Sequence, residues 1–270
     1  MGARVSSATV VEGDPHIRDE MSKAGSEGQD LNVDEDIHLW AVKLVGSPEL
    51  EDNLVRLLSL DEKRRACRFC QASLRRNFTL SHGILRVLLG QYLHLEPVEV
   101  DFRYGSTGKP SLSAQTSRLQ FSMTHSDQFV VYAFANDCEL GVDIERVTAF
   151  PDMDAVAAEF FCPEEYSELV DVDPTQRNAA FFNCWTRKEA YVKALGGGLS
   201  IPFDGFRVSL RPGYPAVLAR SYEHSHEQSW HMHHLTPAPG YVGALVFAGG
   251  DREFRTRCFG SADELIHEIH

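Results

Sequence analysis

Gly141-Val142-Asp143-Ile144-Glu145 and Trp185-Thr186-Arg187-Lys188-Glu189-Ala190-Tyr191-Val192-Lys193 carry most of the information in this chain. In the first stretch, apolar Val142 and Ile144 alternate with the carboxylates Asp143 and Glu145, as on a strand with one face turned to a core. In the second, Trp185, Glu189 and Lys193 recur every four residues and share one helical face. Either piece alone has an ordinary explanation, an acidic pair on the wet face of a sheet or a Glu-to-Lys pair on an exposed helix. Brought together, they set Asp143, Glu145 and Glu189 beside Lys193. Three carboxylates suit a hard cation such as Mg2+ held against a phosphate, and the lysine supplies a fixed positive charge for the remaining phosphate oxygens.

Around these motifs the chain reads as strands and helices in two rounds. His38 to Leu44 and Val98 to Arg103 read as strands, and Leu119 to Met123 with Phe129 to Asn136 as an antiparallel pair. Helical periodicity covers Pro48 to Leu58 and a long run from Asp61 to Tyr92. In that run Phe69, Phe78, Ile84 and Leu88 interleave with Arg64, Arg65, Arg68, Arg75, Arg76 and Arg86. A helix through Ala158, another after Pro163 and the motif helix from Asn178 to Leu195 follow, the last stopped by Gly196. Strands at Phe206 to Leu210, Ser229 to Leu235 and Tyr241 to Phe247 complete the pattern, which predicts an α+β fold with antiparallel sheets.

The 270 residues, 43% hydrophobic and 24% charged, are those of an ordinary globular chain. A formal charge of −13 argues against a general nucleic-acid binder, so a phosphate ligand needs a local basic patch or a metal. No stretch is long and apolar enough for a transmembrane helix, and no membrane association is expected. Residues 1–36 are polar, lack a secretory apolar region and are expected to form a disordered tail. The start, Met1-Gly2-Ala3-Arg4-Val5-Ser6, fits an N-myristoylation pattern, discounted because the pattern is loose and one acyl chain anchors weakly.

Several tempting motifs fall short. Cys67-x-x-Cys70 has no second pair to complete a zinc site, and the six scattered cysteines fit reduced thiols in a cytoplasmic protein. His224, His226, His231, His233 and His234 suggest a metal cluster, but His231 and His233 fall on one face of a strand and read better as a solvated sheet face. Gly105-Ser106-Thr107-Gly108-Lys109 is not a P-loop, because Pro110 stands where a Ser or Thr would meet Mg2+.

Four blocks in fixed order are more specific than any one of them: Gly108-Lys109-Pro110, the strand ending Thr124-His125-Ser126, Gly141 to Glu145, and Trp185 to Lys193. Together they resemble the larger, surfactin-type (Sfp-type) 4'-phosphopantetheinyl transferases over about residues 37 to 250. Ser122 departs from the asparagine usual in that family, and Thr124 from the usual serine.

The resemblance implies two similar lobes related by a pseudo-twofold axis, each a small antiparallel sheet packed with helices, with the active site in the cleft between them. Residues 37–138 would form the N-terminal lobe, 139–250 the C-terminal lobe, and 251–270 a C-terminal extension. The implied reaction moves the 4'-phosphopantetheine arm of coenzyme A to a serine of an acyl or peptidyl carrier protein. Asp143, Glu145 and Glu189 would hold Mg2+, Glu189 would serve as base, and Lys193 would offset charge on the leaving phosphate. Gly108, Lys109, Pro110, Thr124, His125 and Lys188 would line coenzyme A, with Arg65 and Arg76 at its 3'-phosphate. Trp185 would pack the motif helix, and Phe150 and Met153 would meet the carrier. One chain carrying both walls would act as a monomer. Two other readings are a metal-dependent phosphohydrolase of a nucleotide-like substrate, told apart by its product, and a non-catalytic carrier-binding module, which would tolerate loss of Asp143 or Glu189.

Overall fold

The computed structural model describes residues 33, 36–105, 108–113, 117–220 and 229–269. The expectations for the N-terminal tail, the myristoylation pattern, His224 and His226 therefore lie outside the described residues, apart from Val33 and Asp36 of the tail.

In chain order the elements are β1 (Ile37–Lys43), α1 (Pro48–Leu57), α2 (Leu60–Cys67), α3 (Ala72–Leu93), β2 (Phe102–Tyr104), β3 (Pro110–Leu112), β4 (Leu119–Ser126), β5 (Phe129–Asn136) and β6 (Leu140–Arg146). Then come α4 (Met153–Phe160), α5 (Pro163–Val170), α6 (Arg177–Leu195), β7 (Arg207–Val208), β8 (Leu218–Arg220), β9 (Trp230–Leu235), β10 (Tyr241–Ala248), β11 (Phe254–Phe259) and α7 (Ala262–Ile269). One lobe is built on the sheet β11-β1-β5-β4 and the other on β6-β10-β9, an α+β arrangement in which each sheet is packed with helices.

The two sheets face each other. Ile37, Leu39 and Ala41 of β1 and Val131, Ala133 and Ala135 of β5 form one core with Val142, Ile144, Leu245 and Phe247 of the second sheet. The opposite faces of β1 and β5, with Trp40, Val42, Tyr132 and Phe134, pack on Ile84 and Leu88 of α3. A strand buried on both faces needs no polar alternation, which is why β1 is apolar at nearly every position.

Three expectations change. The single helix over Asp61 to Tyr92 is two: α2 ends in i+3 bonds from Arg68 N to Arg65 O and Phe69 N to Ala66 O, and Gln71 is extended before α3 begins. Val98 to Arg103 is a 3-10 turn at Pro97–Glu99 followed by the short β2, because Pro97 presets the turn and Glu96 and Glu99 cap it reciprocally. Residues 251–269 are no appendage. β11 pairs with β1 in parallel, the exception to otherwise antiparallel pairing among the described residues, while Ala262, Leu265 and Ile269 of α7 are buried in the first lobe's core. The N-cap Ser47 ties α1 to this segment, its Oγ donating to Asp263 Oδ1 at 2.6 Å.

Candidate functional site

Two neighbouring elements bring the motif residues together. α6 lies on β6 and β10, and Gly141 makes its close approach possible: a Cβ there would stand 2.1 Å from the Ala190 carbonyl oxygen and 2.5 Å from Ala194 N. That approach sets Lys193 Nζ 2.6 Å from Asp143 Oδ1 and 3.2 Å from the Val142 carbonyl. Asp143 is 5% exposed, so it does not lie on the wet face of a sheet.

The strand β4 runs alongside and sorts its residues by alternation. Phe121, Met123 and His125 line a cavity, whereas the side chains of Thr124 and Ser126 turn to β6. Thr124 Oγ1 donates to Asp143 Oδ1 at 2.9 Å and Ser126 Oγ to Glu145 Oε2 at 2.6 Å. Ser122 Oγ, partly lining the same cavity, accepts from Val142 N at 3.1 Å.

The cavity measures about 610 Å³. Arg65 and Arg68 of the α2 end, Phe78 and His82 of α3, Tyr104, Gly108 to Pro110 and His125 form its first-lobe wall. Glu189, Val192, Lys193 and Phe203 form the other. Arg65 spans two rings, its guanidinium 5.4 Å from the Phe78 centroid and 5.9 Å from that of Tyr104. His82 stacks on Phe78, and burial lowers its pKa to about 4.

Electrostatics near the motif follow from burial and crowding. Burial raises the Glu189 carboxyl above the usual range, and the Asp143 charge pushes the same way while Lys193 opposes it. Glu145 is likewise raised by burial and by Asp143, against the Ser126 hydrogen bond. His125 is lowered by burial and then by Lys193. The donor types suit a hard cation: the Asp143 charge raises both Glu145 and Glu189, and Asp143 Oδ2 is buried with no hydrogen-bond partner. Among the described residues no three His, Cys, Asp or Glu side chains are gathered into a closed metal site, and Lys193 and Thr124 share Asp143 Oδ1.

Other expected ligands are placed elsewhere. Lys188 is fully buried in the second lobe, 2.8 Å from Glu165 and donating to the Phe203 and Phe206 carbonyls, so it cannot steer a phosphate. Arg76 binds Glu51 and the Gly46 carbonyl outside the cavity. Thr124 serves Asp143 instead of a phosphate. Lys109 lines the cavity, but its Nζ donates to the carbonyls of Lys193 (2.6 Å) and Leu140 (3.1 Å), with burial first among the causes that lower its pKa to about 8. It therefore straps the first lobe to the end of α6. Trp185 sits among Phe160, Phe181 and Phe203 as packing, and Phe150 packs on Phe181 and Phe182. Arg68, named in the arginine-rich run, Ser126, named in the Thr124-His125-Ser126 block, and His82 have no role assigned from the sequence. The arginine-rich run and the Ser following His125 were the available signals.

Residues 139–246 match the model of the 4'-phosphopantetheinyl transferase superfamily. The chain is 35% identical over 219 residues to the 4'-phosphopantetheinyl transferase HetI of Nostoc sp., an alignment spanning 80% of this chain and 90% of the relative. It is 27% identical over 205 residues to the 4'-phosphopantetheinyl transferase Sfp of Bacillus subtilis, spanning 76% and 88% of the two chains. A holo-(acyl-carrier-protein) synthase from Bacillus anthracis, solved with CoA (3',5'-ADP), shares a partial likeness with a TM-score of 0.33 and 21% identity, over 42% of this chain and 96% of that one. The length and identity of the match to the Nostoc enzyme, with the four motif blocks in order along the chain, establish that this chain belongs to the 4'-phosphopantetheinyl transferase family.

Proposed function

We propose that this protein transfers the 4'-phosphopantetheine arm of coenzyme A to a serine hydroxyl of an acyl or peptidyl carrier protein, releasing 3',5'-ADP, in a Mg2+-dependent reaction. The observation that carries this reading is one cavity with the cations Arg65 and Arg68, together with His125, on its first-lobe wall and Glu189 with Lys193 on the other, next to Asp143. In a chain of net charge −13, that is a local basic patch suited to an anionic nucleotide.

Arg65 and Arg68 are assigned to the phosphates at the nucleotide end, while the exposed Tyr104 offers a ring face to a base. Asp143, Glu145 and Glu189 are the assigned metal ligands. Bound there, Mg2+ would neutralise charge on the pyrophosphate. Glu189, on the cavity wall with a raised proton affinity, is assigned as acceptor of the serine proton. Lys193 is assigned to the leaving phosphate, reached by exchanging Asp143 for substrate oxygens. Gly108, Pro110 and the Lys109 stem form the turn beside the nucleotide. The functional unit is read as residues 37–138 and 139–250, with the segment after 250 completing the first lobe. Both walls come from one chain, so a monomer is expected. Among the described residues no helix is long and apolar enough to cross a membrane, and the described free cysteines support a cytoplasmic site of action.

The test incubates the protein with coenzyme A, Mg2+ and a panel of apo-carrier proteins, read by intact mass. A carrier gaining the phosphopantetheine mass supports the reading. Hydrolysis of coenzyme A with no carrier modified would replace it by a phosphohydrolase. Asp143→Ala and Glu189→Ala should each slow transfer on the order of a thousandfold.

A further inference from the structure

β4 and β6 lie side by side, yet belong to different sheets, and among the described residues no strand pairing joins them. Side-chain hydroxyls do so instead. Three residues at strand period, Ser122, Thr124 and Ser126, reach across the seam. Ser122 accepts from Val142 N (3.1 Å), and Ser126 Oγ accepts from Arg146 N (3.1 Å) while donating to Glu145 Oε2 (2.6 Å). Thr124 donates to Asp143 Oδ1 (2.9 Å). The outer two hydroxyls thus fix the β6 backbone at both ends, and the last two fix the carboxylates between them.

We propose that Thr124 and Ser126 are positioning residues for the Asp143 and Glu145 carboxylates, and that their hydroxyls face these two side chains instead of the nucleotide. The proposal rests on the metal-ligand assignment made above. A carboxylate has about four lone-pair directions, so a hydroxyl that occupies one of them orients the others. Thr124 takes up Oδ1 and leaves the buried Asp143 Oδ2 as the oxygen free to ligate. Ser126 likewise engages Oε2 of Glu145 and holds a side chain that would otherwise rotate away from Asp143, whose charge repels it. Outer hydrogen bonds of this kind set ligand orientation, and their loss costs a metal site tenfold or more in affinity.

β4 also divides its labour. His125, between the two hydroxyls, points the other way and lines the cavity. Side chains alternate along a strand, and here His125 is turned to the cavity while Thr124 and Ser126 are turned to β6. First-lobe residues therefore orient carboxylates that the second lobe supplies, and the metal site depends on how the lobes dock.

The experiment measures Mn2+ binding without turnover, by the loss of the free-ion electron paramagnetic resonance signal, in protein saturated with coenzyme A and given no carrier. Ser126→Ala should bind Mn2+ about tenfold more weakly, and Ser126→Thr should restore it to within about twofold. Coenzyme A affinity in chelator should stay within about twofold of the wild type for Ser126→Ala. Thr124→Val, isosteric but without the donor, should weaken Mn2+ similarly, which keeps the test alive should Ser126→Ala fail to fold. Wild-type Mn2+ affinity in both hydroxyl variants, alongside its loss in Glu145→Ala, overturns the positioning role and leaves the ligand assignment standing. Unchanged Mn2+ affinity in Glu145→Ala and Asp143→Ala overturns both. A loss of coenzyme A affinity without metal in Ser126→Ala assigns the hydroxyl to the nucleotide and also overturns the proposal.

Discussion

Two lysines of the same motif, five positions apart, do different jobs, and the difference is burial. Lys188 has no exposed side-chain surface and pairs with an equally buried Glu165, whereas Lys193 keeps 29% of its side-chain surface at the cavity. Removing one partner of a buried pair strands the other charge, so Lys188→Met is expected to destabilise the fold by about 3–5 kcal/mol. Lys193→Met should cost less stability and more rate. Denaturant titration and a transfer assay on both variants check this; a Lys188→Met protein of wild-type stability would contradict the assignment. His82 gives a pH-dependent counterpart. Its folded pKa is about 4 against 6.5 for the free side chain, so between those values the unfolded chain binds the extra proton. Its contribution is complete above pH 6.5 and is lost as the pH falls toward 4, on the order of 3 kcal/mol. His82→Phe should flatten stability measured between about pH 7 and about pH 4.5; an unchanged slope would show that His82 is not the group responsible.

The strand–helix pair β6 and α6 carries the site because Gly141 lets the two backbones approach. The atoms a Cβ would meet there are the backbone oxygen of Ala190 and nitrogen of Ala194, which cannot swing aside as a side chain can. Gly141→Ala should therefore push α6 off β6, costing about 1–3 kcal/mol or more and separating Lys193 from Asp143. Unfolding midpoints and transfer rates would test it, and full activity in the variant would show that the contact is not needed. Elements with a strong local signal were legible: the Glu189–Lys193 face, the left-handed stop at Gly196 and the β4–β5 hairpin stand as read. The break between α2 and α3 was not, because residues 68–71 contain neither Pro nor Gly and the turn is stabilised by bonds reaching back along the helix.

Across the molecule, residues from the two ends of the described chain share one sheet, through the parallel pairing of Ile37 to Val42 with Phe254 to Phe259. Truncation after residue 250 should remove an edge strand together with the buried Ala262, Leu265 and Ile269, leaving a chain without cooperative unfolding. A truncated protein with the wild-type unfolding midpoint would show that the segment is dispensable. Light scattering should give the 30.2 kDa mass of one chain for the active species, and activity confined to a dimer would mean that a second chain completes the site. Residue order alone supplied the chemistry: which carboxylates lie on one strand face, which groups share the motif helix and which family the four blocks resemble. Such features are local, since strand and helix periods fix side-chain direction over a few residues. Which charges face the cavity was set by tertiary packing. Lys188 is claimed by Glu165 of another helix, Arg76 by Glu51, Lys109 by the end of α6, and Thr124 by a carboxylate across a seam between sheets. In each case the partner lies far along the chain. A period of two or 3.6 residues says which way a side chain points but not what packing will bring there to meet it.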